Sequence, residues 1–561
     1  MNRFIPLVWL FPVLFLLTGC RSQEESEVVA LDIPTVQAAL DEIHPEAIDH
    51  HIRVLADDSL EGRAPGTRGF SGAAHYVETS LSALGLEPAG IDGTYQQPVP
   101  LRESLVVEEE SVMGISSSSG VEELKYGMDF YLSPDPLRET VSVSEAAVVF
   151  VGYGVSAPGL GYDDYANIDV EGKIVAYLTG APPAFPSNER AYYSSGATKQ
   201  SEAVARGAIG ILSFTYPGDP RFRWEVNLAR SKRGSFAWLD SEENPNNSSR
   251  YGRGNEGILG SASLNHPAAR KLFAGAPQPI EEAFTAAAES TPQAFDLATR
   301  VSITTRSSHR RVDSWNVIAR VEGSDPALRD EHVVYIAHVD HFGVGVEVDG
   351  DAIYNGAHDN ASGTAIVLEI ARAFSSLPTK PRRSVLFLIP TAEEWGLLGS
   401  DYFVENPTVP SLIASFSLDM PFLFHPLRDI VPYGAEHSTL ASPVRAASEH
   451  LGLAIGPDPI PEQVLFIRSD HFSFVRRGIP ALFIKSGFET GDPNLDGGAI
   501  NTAFRQNLYH TPFDEVGQGF DFEAGAAHAR VNFLTGYIIA QETVRPTWNP
   551  GDFFGELFGG S

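Results

Sequence analysis

A single cysteine, Cys20, occurs in the 561 residues, so the chain has no internal disulfide to form. Basic residues are outnumbered, 40 Lys+Arg against 72 Asp+Glu, for a formal net charge of -32. That balance repels phosphate backbones and argues against nucleic acid as a partner. The acidity itself reads as a well-hydrated surface. Beyond the first twenty residues no apolar run is long enough to span a bilayer. The G-x-S-x-G of serine hydrolases is missing, and so is the H-E-x-x-H of single-zinc proteases. What remains is an ordinary globular composition, 43% hydrophobic and 20% charged, in a chain long enough for two or more domains.

The beginning of the chain reads as a processing signal. Arg3 supplies a minimal positive start, Phe4 to Leu17 form a short apolar run, and Leu17-Thr18-Gly19-Cys20 follows. This end resembles the lipobox of bacterial lipoproteins, in which the cysteine is lipidated and becomes the new N-terminus. The resemblance implies export and lipid anchoring at Cys20. Arg21, where an aspartate would retain the protein at the inner membrane, implies the outer membrane, facing the periplasm or cell surface. Residues 20–45, polar and acidic at first (Gln23, Glu24, Glu25, Glu27), read as a tether.

Residues 46–136 open the main domain with helical texture. Ile52, Leu55 and Leu60 precede the loop Gly62-Arg63-Ala64-Pro65-Gly66, and Ala73, Ala74, Val77, Leu81 and Leu84 then recur at helical spacing up to Gly85. Residues 137–305 change to short apolar strands separated by Gly/Pro/Asn-rich turns. Within them Val149-Phe150-Val151-Gly152-Tyr153-Gly154, then Asp163-Asp164-Tyr165 and Gly172-Lys173, resemble an inserted, mainly-β protease-associated domain. From 306 to 545 apolar strands alternate with periodic helices, the rhythm of an open, mostly parallel α/β sheet. Residues 546–561 form a tail.

The chemistry-bearing residues sit in that last stretch. Three apolar strands each run directly into residues of metal-ligand type: His338-Val339-Asp340-His341, Glu393-Glu394 after Thr391-Ala392, and Asp419-Met420. In open α/β sheets the carboxyl ends of strands face the binding crevice, so these groups are expected to converge. Asp359-Asn360-Ala361-Ser362-Gly363 opens a helix, and Tyr509-His510-Thr511-Pro512-Phe513-Asp514 ends a Gly/Asn-rich loop of the kind that covers active sites. Two histidines with three carboxylates make a mixed N/O donor set suited to zinc.

Taken in this order, the motifs resemble the clan MH co-catalytic zinc aminopeptidases, a family that also includes glutamate carboxypeptidases and the transferrin receptor. The resemblance implies an α/β zinc exopeptidase fold and two Zn2+ per chain. One ion would take His338, Asp419 and bridging Asp359; the other would take Glu394, His510 and the same Asp359. Glu393 would be the general base and Tyr509 the donor to the developing oxyanion, with Arg468 a weaker candidate there. Asp340 and Asp514 would orient His338 and His510 through their free ring N–H groups. Peptides would be the substrates, and release of N-terminal residues the favoured reaction. A carboxypeptidase or dipeptidase of the same family is the first alternative, and a receptor-like binding protein the second. A one-zinc cyclase is disfavoured by the complete set of five ligands. One departure is visible: His358 stands where family members commonly carry aspartate before the bridging residue, and it is read as a spectator.

Overall fold

The computed structural model describes residues 33–217, 219, 224–246 and 256–560. The lipobox and Cys20 lie outside the described residues. The main sheet is built from β1 (Gln96–Val106), β2 (Phe295–Val321), β3 (Glu331–Ile336), β4 (Ser384–Ile389), β5 (Ser411–Ser417), β6 (Asp429–Tyr433) and β7 (Ala481–Ser486). β4, β3, β5 and β7 lie side by side in that order and are parallel; β2 and β6 flank them antiparallel. β3 and β4 are buried along nearly their whole length. Their apolar residues therefore run without alternation, as strands covered on both faces require.

The helices α1 (Pro45–Leu55), α2 (Arg68–Ala83), α3 (Ser362–Ser376) and α4 (Phe522–Gln541) contribute to one apolar core with the inner strands. α4 approaches β3 so closely that a Cβ at Gly536 would lie 1.9 Å from the Tyr335 hydroxyl. That hydroxyl instead donates to the Asn532 carbonyl at 2.8 Å, tying α4 to the sheet. Among the described residues no helix is long and apolar enough to cross a membrane.

A second sheet lies within the chain between β1 and β2. Thr140–Phe150, Ile174–Leu178, Gly210–Phe214 and Ser261–Leu264 pair in parallel, and the first half of β2 closes the edge. β2 then crosses from this sheet to the main one, pairing with Thr140 at Arg306 and with Val106 at Ser307. The second core also takes in Met113, Ile115, Leu124, Phe130 and Leu132. The insertion therefore begins near residue 107 rather than at the expected 137, because those apolar side chains are buried there and not against the main sheet. It is also less purely β than its turn-rich texture suggests, with helices such as Gly196–Ala205, His266–Leu272 and Ile280–Ala288 beside the sheet. One piece returns to the main body: Ser235–Trp238 pairs antiparallel with β1, and Phe236 and Trp238 pack with Ala392 and Leu398.

Candidate metal centre

The parallel order β4–β3–β5 places three strand ends next to one another, and with them Glu393-Glu394, His338 and Asp419. Asp359 arrives from the turn before α3. Gly356 makes that turn possible with φ 59°, and a Cβ there would lie 2.2 Å from the Asp359 carbonyl. His510 comes from the loop ahead of α4. The two histidines face opposite oxygens of one carboxylate: His338 Nε2 is 3.4 Å from Asp359 Oδ1, and His510 Nε2 is 3.0 Å from Oδ2. His338 Nε2 also lies 3.9 Å from Asp419 Oδ1 and 3.7 Å from Glu393 Oε2, and His510 Nε2 is 3.3 Å from Glu394 Oε2.

Electrostatics argues for cations at this spot. Burial pushes the carboxyls of Glu393 and Glu394 well above their usual range, with neighbouring carboxylates adding to the shift. Burial works in the same sense on Asp359, but His338 and His510 outweigh it and hold that carboxyl well below normal. For His338, burial opposes protonation, yet Glu393, Asp359 and Asp419 together push it well above an ordinary imidazole. Two buried ligand atoms, His338 Nε2 and Asp419 Oδ1, have no hydrogen-bond partner. Buried polar atoms are rarely left unpaired, and a set of carboxylate oxygens and imidazole nitrogens suits a divalent metal. Two groups offer ligand atoms within 4.8 Å of one another: His338, Glu393, Asp419, and His341, Asp359, Glu394. The residues present therefore fit two metal ions.

Two orienting roles differ from expectation. His338 Nδ1 meets the backbone carbonyl of Asp340 at 3.1 Å, whereas the Asp340 carboxylate is 3.9 Å away. That carboxylate accepts the backbone N–H groups of Glu393 (3.1 Å) and Glu394 (3.4 Å), so it fixes the glutamate pair. Asp514 likewise does not reach His510. Its oxygens accept the N–H groups of His358 and Asp359, each at 2.9 Å. A short loop thus aims these carboxylates at backbone rather than at the imidazoles. Asp514→Ala should strand two buried amides at about 1–3 kcal/mol each and loosen Asp359. The expected outcome is a destabilisation of about 2–6 kcal/mol in urea unfolding with reduced metal retention by elemental analysis.

The Tyr509 hydroxyl accepts from Arg468 Nη2 at 2.8 Å, and both line the cavity over the ligand cluster. His358 is buried in a cage of Phe422, Phe424, Phe504 and Phe520, and burial pushes its imidazole down to about 3. Its side chain faces those rings rather than the ligand cluster. His471 is buried too, with Nε2 2.6 Å from the Phe466 carbonyl.

Other contributors were not singled out in the sequence. His341 Nδ1 lies 2.6 Å from Glu394 Oε1. Its place in the His338–His341 run was the available signal. Arg63, fully buried, donates to the carbonyls of Val339 (2.7 Å), Asn355 (2.5 Å) and Gly356 (3.0 Å), clamping the two loops that carry His338 and Asp359. Lys485, on β7, donates to the Asp419 carbonyl at 2.7 Å, and burial lowers it to about 7. Arg230 and Arg233 reach the same cavity from the insertion. Nothing in the local sequence marks either of them.

Residues 316–533 match the model of peptidase family M28. The chain carries an M28 peptidase domain. Aminopeptidase YwaD of Bacillus subtilis (strain 168) is 30% identical over 193 residues, which are 32% of this chain and 37% of that protein. A probable glutamate carboxypeptidase of Arthroderma benhamiae is 28% identical over 261 residues, 41% of this chain and 31% of the relative. The matches thus span only about a third of these relatives' lengths. Among solved structures, the aminopeptidase from Aneurinibacillus sp. strain AM-1 superimposes with a TM-score of 0.51 at 20% identity, covering 92% of this chain and 97% of that one. Its likeness extends the common fold beyond the M28 domain to nearly the whole described chain. The M28 match itself takes in His338, Asp359, Glu393, Glu394, Asp419 and His510.

Proposed function

We propose that the chain is a dizinc exopeptidase that releases N-terminal residues from peptides. The observation that carries this reading is the placement of His338 and His510 on opposite oxygens of Asp359, with Glu393 beside them at the cavity wall. His338, Asp359 and Asp419 would hold one ion, and Asp359, Glu394 and His510 the other. Relatives described as aminopeptidases support the reaction class. When bound, the two ions would acidify water and polarise the scissile carbonyl. Glu393 takes the proton of the attacking water and returns it to the departing amine. Its backbone is held by Asp340, so the carboxylate stays on the cavity wall. Tyr509, whose oxygen already accepts from Arg468, directs its own O–H toward the developing oxyanion.

Free, N-blocked and C-blocked peptides offered to the purified domain test this reading. Cleavage that requires a free amino terminus, with two zinc ions per chain, is expected. Cleavage of N-blocked peptides from the carboxyl end would replace it with the carboxypeptidase reading, and a stoichiometry of one with a cyclase-like centre.

For location the reading is export and lipid attachment at Cys20, in the outer membrane, supported by the lipobox alone. A Cys20→Ala protein that is exported should leave the membrane fraction and keep its peptidase activity. Continued fractionation with membranes would defeat the anchor.

A further inference from the structure

We infer that Arg233, contributed by the insertion, receives a substrate carboxylate, so that peptides bearing a free carboxylate close to the scissile bond are preferred. The inference deepens the exopeptidase reading and rests on it.

The cavity over the ligand cluster holds about 280 Å³. Asp359, Glu394 and His510 line it together with Arg230, in the last turn of the insertion helix Trp224–Ser231, and Arg233, in the turn that follows. In a chain with a net charge of -32, this segment brings two arginines to the cavity. Among the described residues neither Arg230 nor Arg233 lies within ion-pair reach of an aspartate or glutamate. Arg230 is placed in another way, its Nη2 lying 3.1 Å from His510 Nδ1.

Arg233 is held differently. Its guanidinium carbon sits 4.1 Å from the Phe342 ring centroid and 4.5 Å from that of Tyr354, so two aromatic rings grip the group. Phe342 packs in turn on His510, with ring centroids 4.6 Å apart. One ring therefore separates the guanidinium from the ligand cluster. Arg233 Nη1 is buried and has no hydrogen-bond partner. A buried charged donor without an acceptor is costly, and the planar guanidinium matches a carboxylate in a bidentate fork. The rings fix its plane in advance, so little rotamer freedom remains to be lost when the carboxylate arrives. A peptide offers that group from two sources, its own C-terminus or an acidic side chain, and both present the same two oxygens.

The test compares kcat/KM for matched dipeptides and tripeptides ending in a free acid or an amide, and for matched peptides carrying Glu or Gln beside the scissile bond. Wild type should favour at least one acid form by about tenfold or more, the discrimination typical of a charge-assisted contact. An acid preference confined to the first pair identifies the terminal carboxylate, and one confined to the second identifies a side chain. Arg233→Gln should bring the preferred ratio towards one through KM, and Arg233→Lys should restore part of it. Thermal midpoint and metal content of both variants separate this effect from misfolding. Calorimetric titration with a reduced-amide dipeptide, as acid and as amide, reads the same preference without turnover. A protein that binds the acid preferentially yet cleaves no peptide keeps the inference and sinks the peptidase reading. Equal kcat/KM for acid and neutral forms in both pairs, or a preference that survives in folded Arg233→Gln, overturns the inference.

Discussion

Glu393→Gln is expected to lower kcat by about 10²–10⁴-fold while metal content and KM stay near wild type. The amide keeps the shape of the side chain and its place on the cavity wall, and the backbone N–H remains on Asp340. What disappears is the capacity to take a proton, which matters only on the way to the transition state. The geometry makes the experiment demanding, because Glu393 also stands within ligand range of His338 and Asp419. If Glu393 were a ligand, the variant would lose metal together with turnover. Glu394→Gln, one residue on, is expected to do just that, since a neutral amide is a poorer ligand than a carboxylate. Near-normal kcat in a metal-replete Glu393→Gln enzyme would remove the proposed general base.

The second large effect is expected at Asp359. Its two oxygens are the only groups that face both His338 and His510 among the described contacts of those imidazoles, apart from carboxylates specific to one side. Asp359→Ala should therefore empty both positions, where His338→Ala or His510→Ala should first weaken one. Elemental analysis after dialysis is expected to give less than one metal per chain, with peptidase activity reduced by at least about 10³-fold, as loss of metal-assisted catalysis and its activated water implies. The variant should fold, because Arg63 and Asp514 hold the surrounding backbone without using the Asp359 carboxylate. Retention of two tightly held ions would show that the carboxylate does not bridge.

The motif residues were legible in the chain because each followed a short-range rule. His338, Glu393-Glu394 and Asp419 each end an apolar run, and such runs in an α/β rhythm end at one rim of the sheet. The orienting contacts were not legible in the same way. Asp340 and Asp514 stand two and four residues from a histidine ligand, spacings that suggest an imidazole partner. Their carboxylates turn to backbone amides 53 and 155 residues away instead. Arg63 was visible only as part of a glycine-rich loop. Its role depends on three carbonyls brought to it from 276 to 293 residues along the chain.

The insertion shows the same division. Its strand-and-turn texture is a local property, set by side-chain pattern, and so the existence of a second unit could be read directly. Its edge could not be, because residues 107–136 carry no composition that says which core buries Met113 or Phe130. Metal-ligand types at strand ends, the order of the motifs and the parallel sheet thus follow from the sequence, since each depends on period and neighbours. The meeting of Arg230 with His510, 280 residues away, and of Arg233, in the turn that follows, with the Phe342 ring packed on His510 belongs to the tertiary structure. Pairing of Ser235–Trp238 with β1 draws that turn over the cavity, and such long-range pairing depends on surfaces that exist only once both sheets have formed.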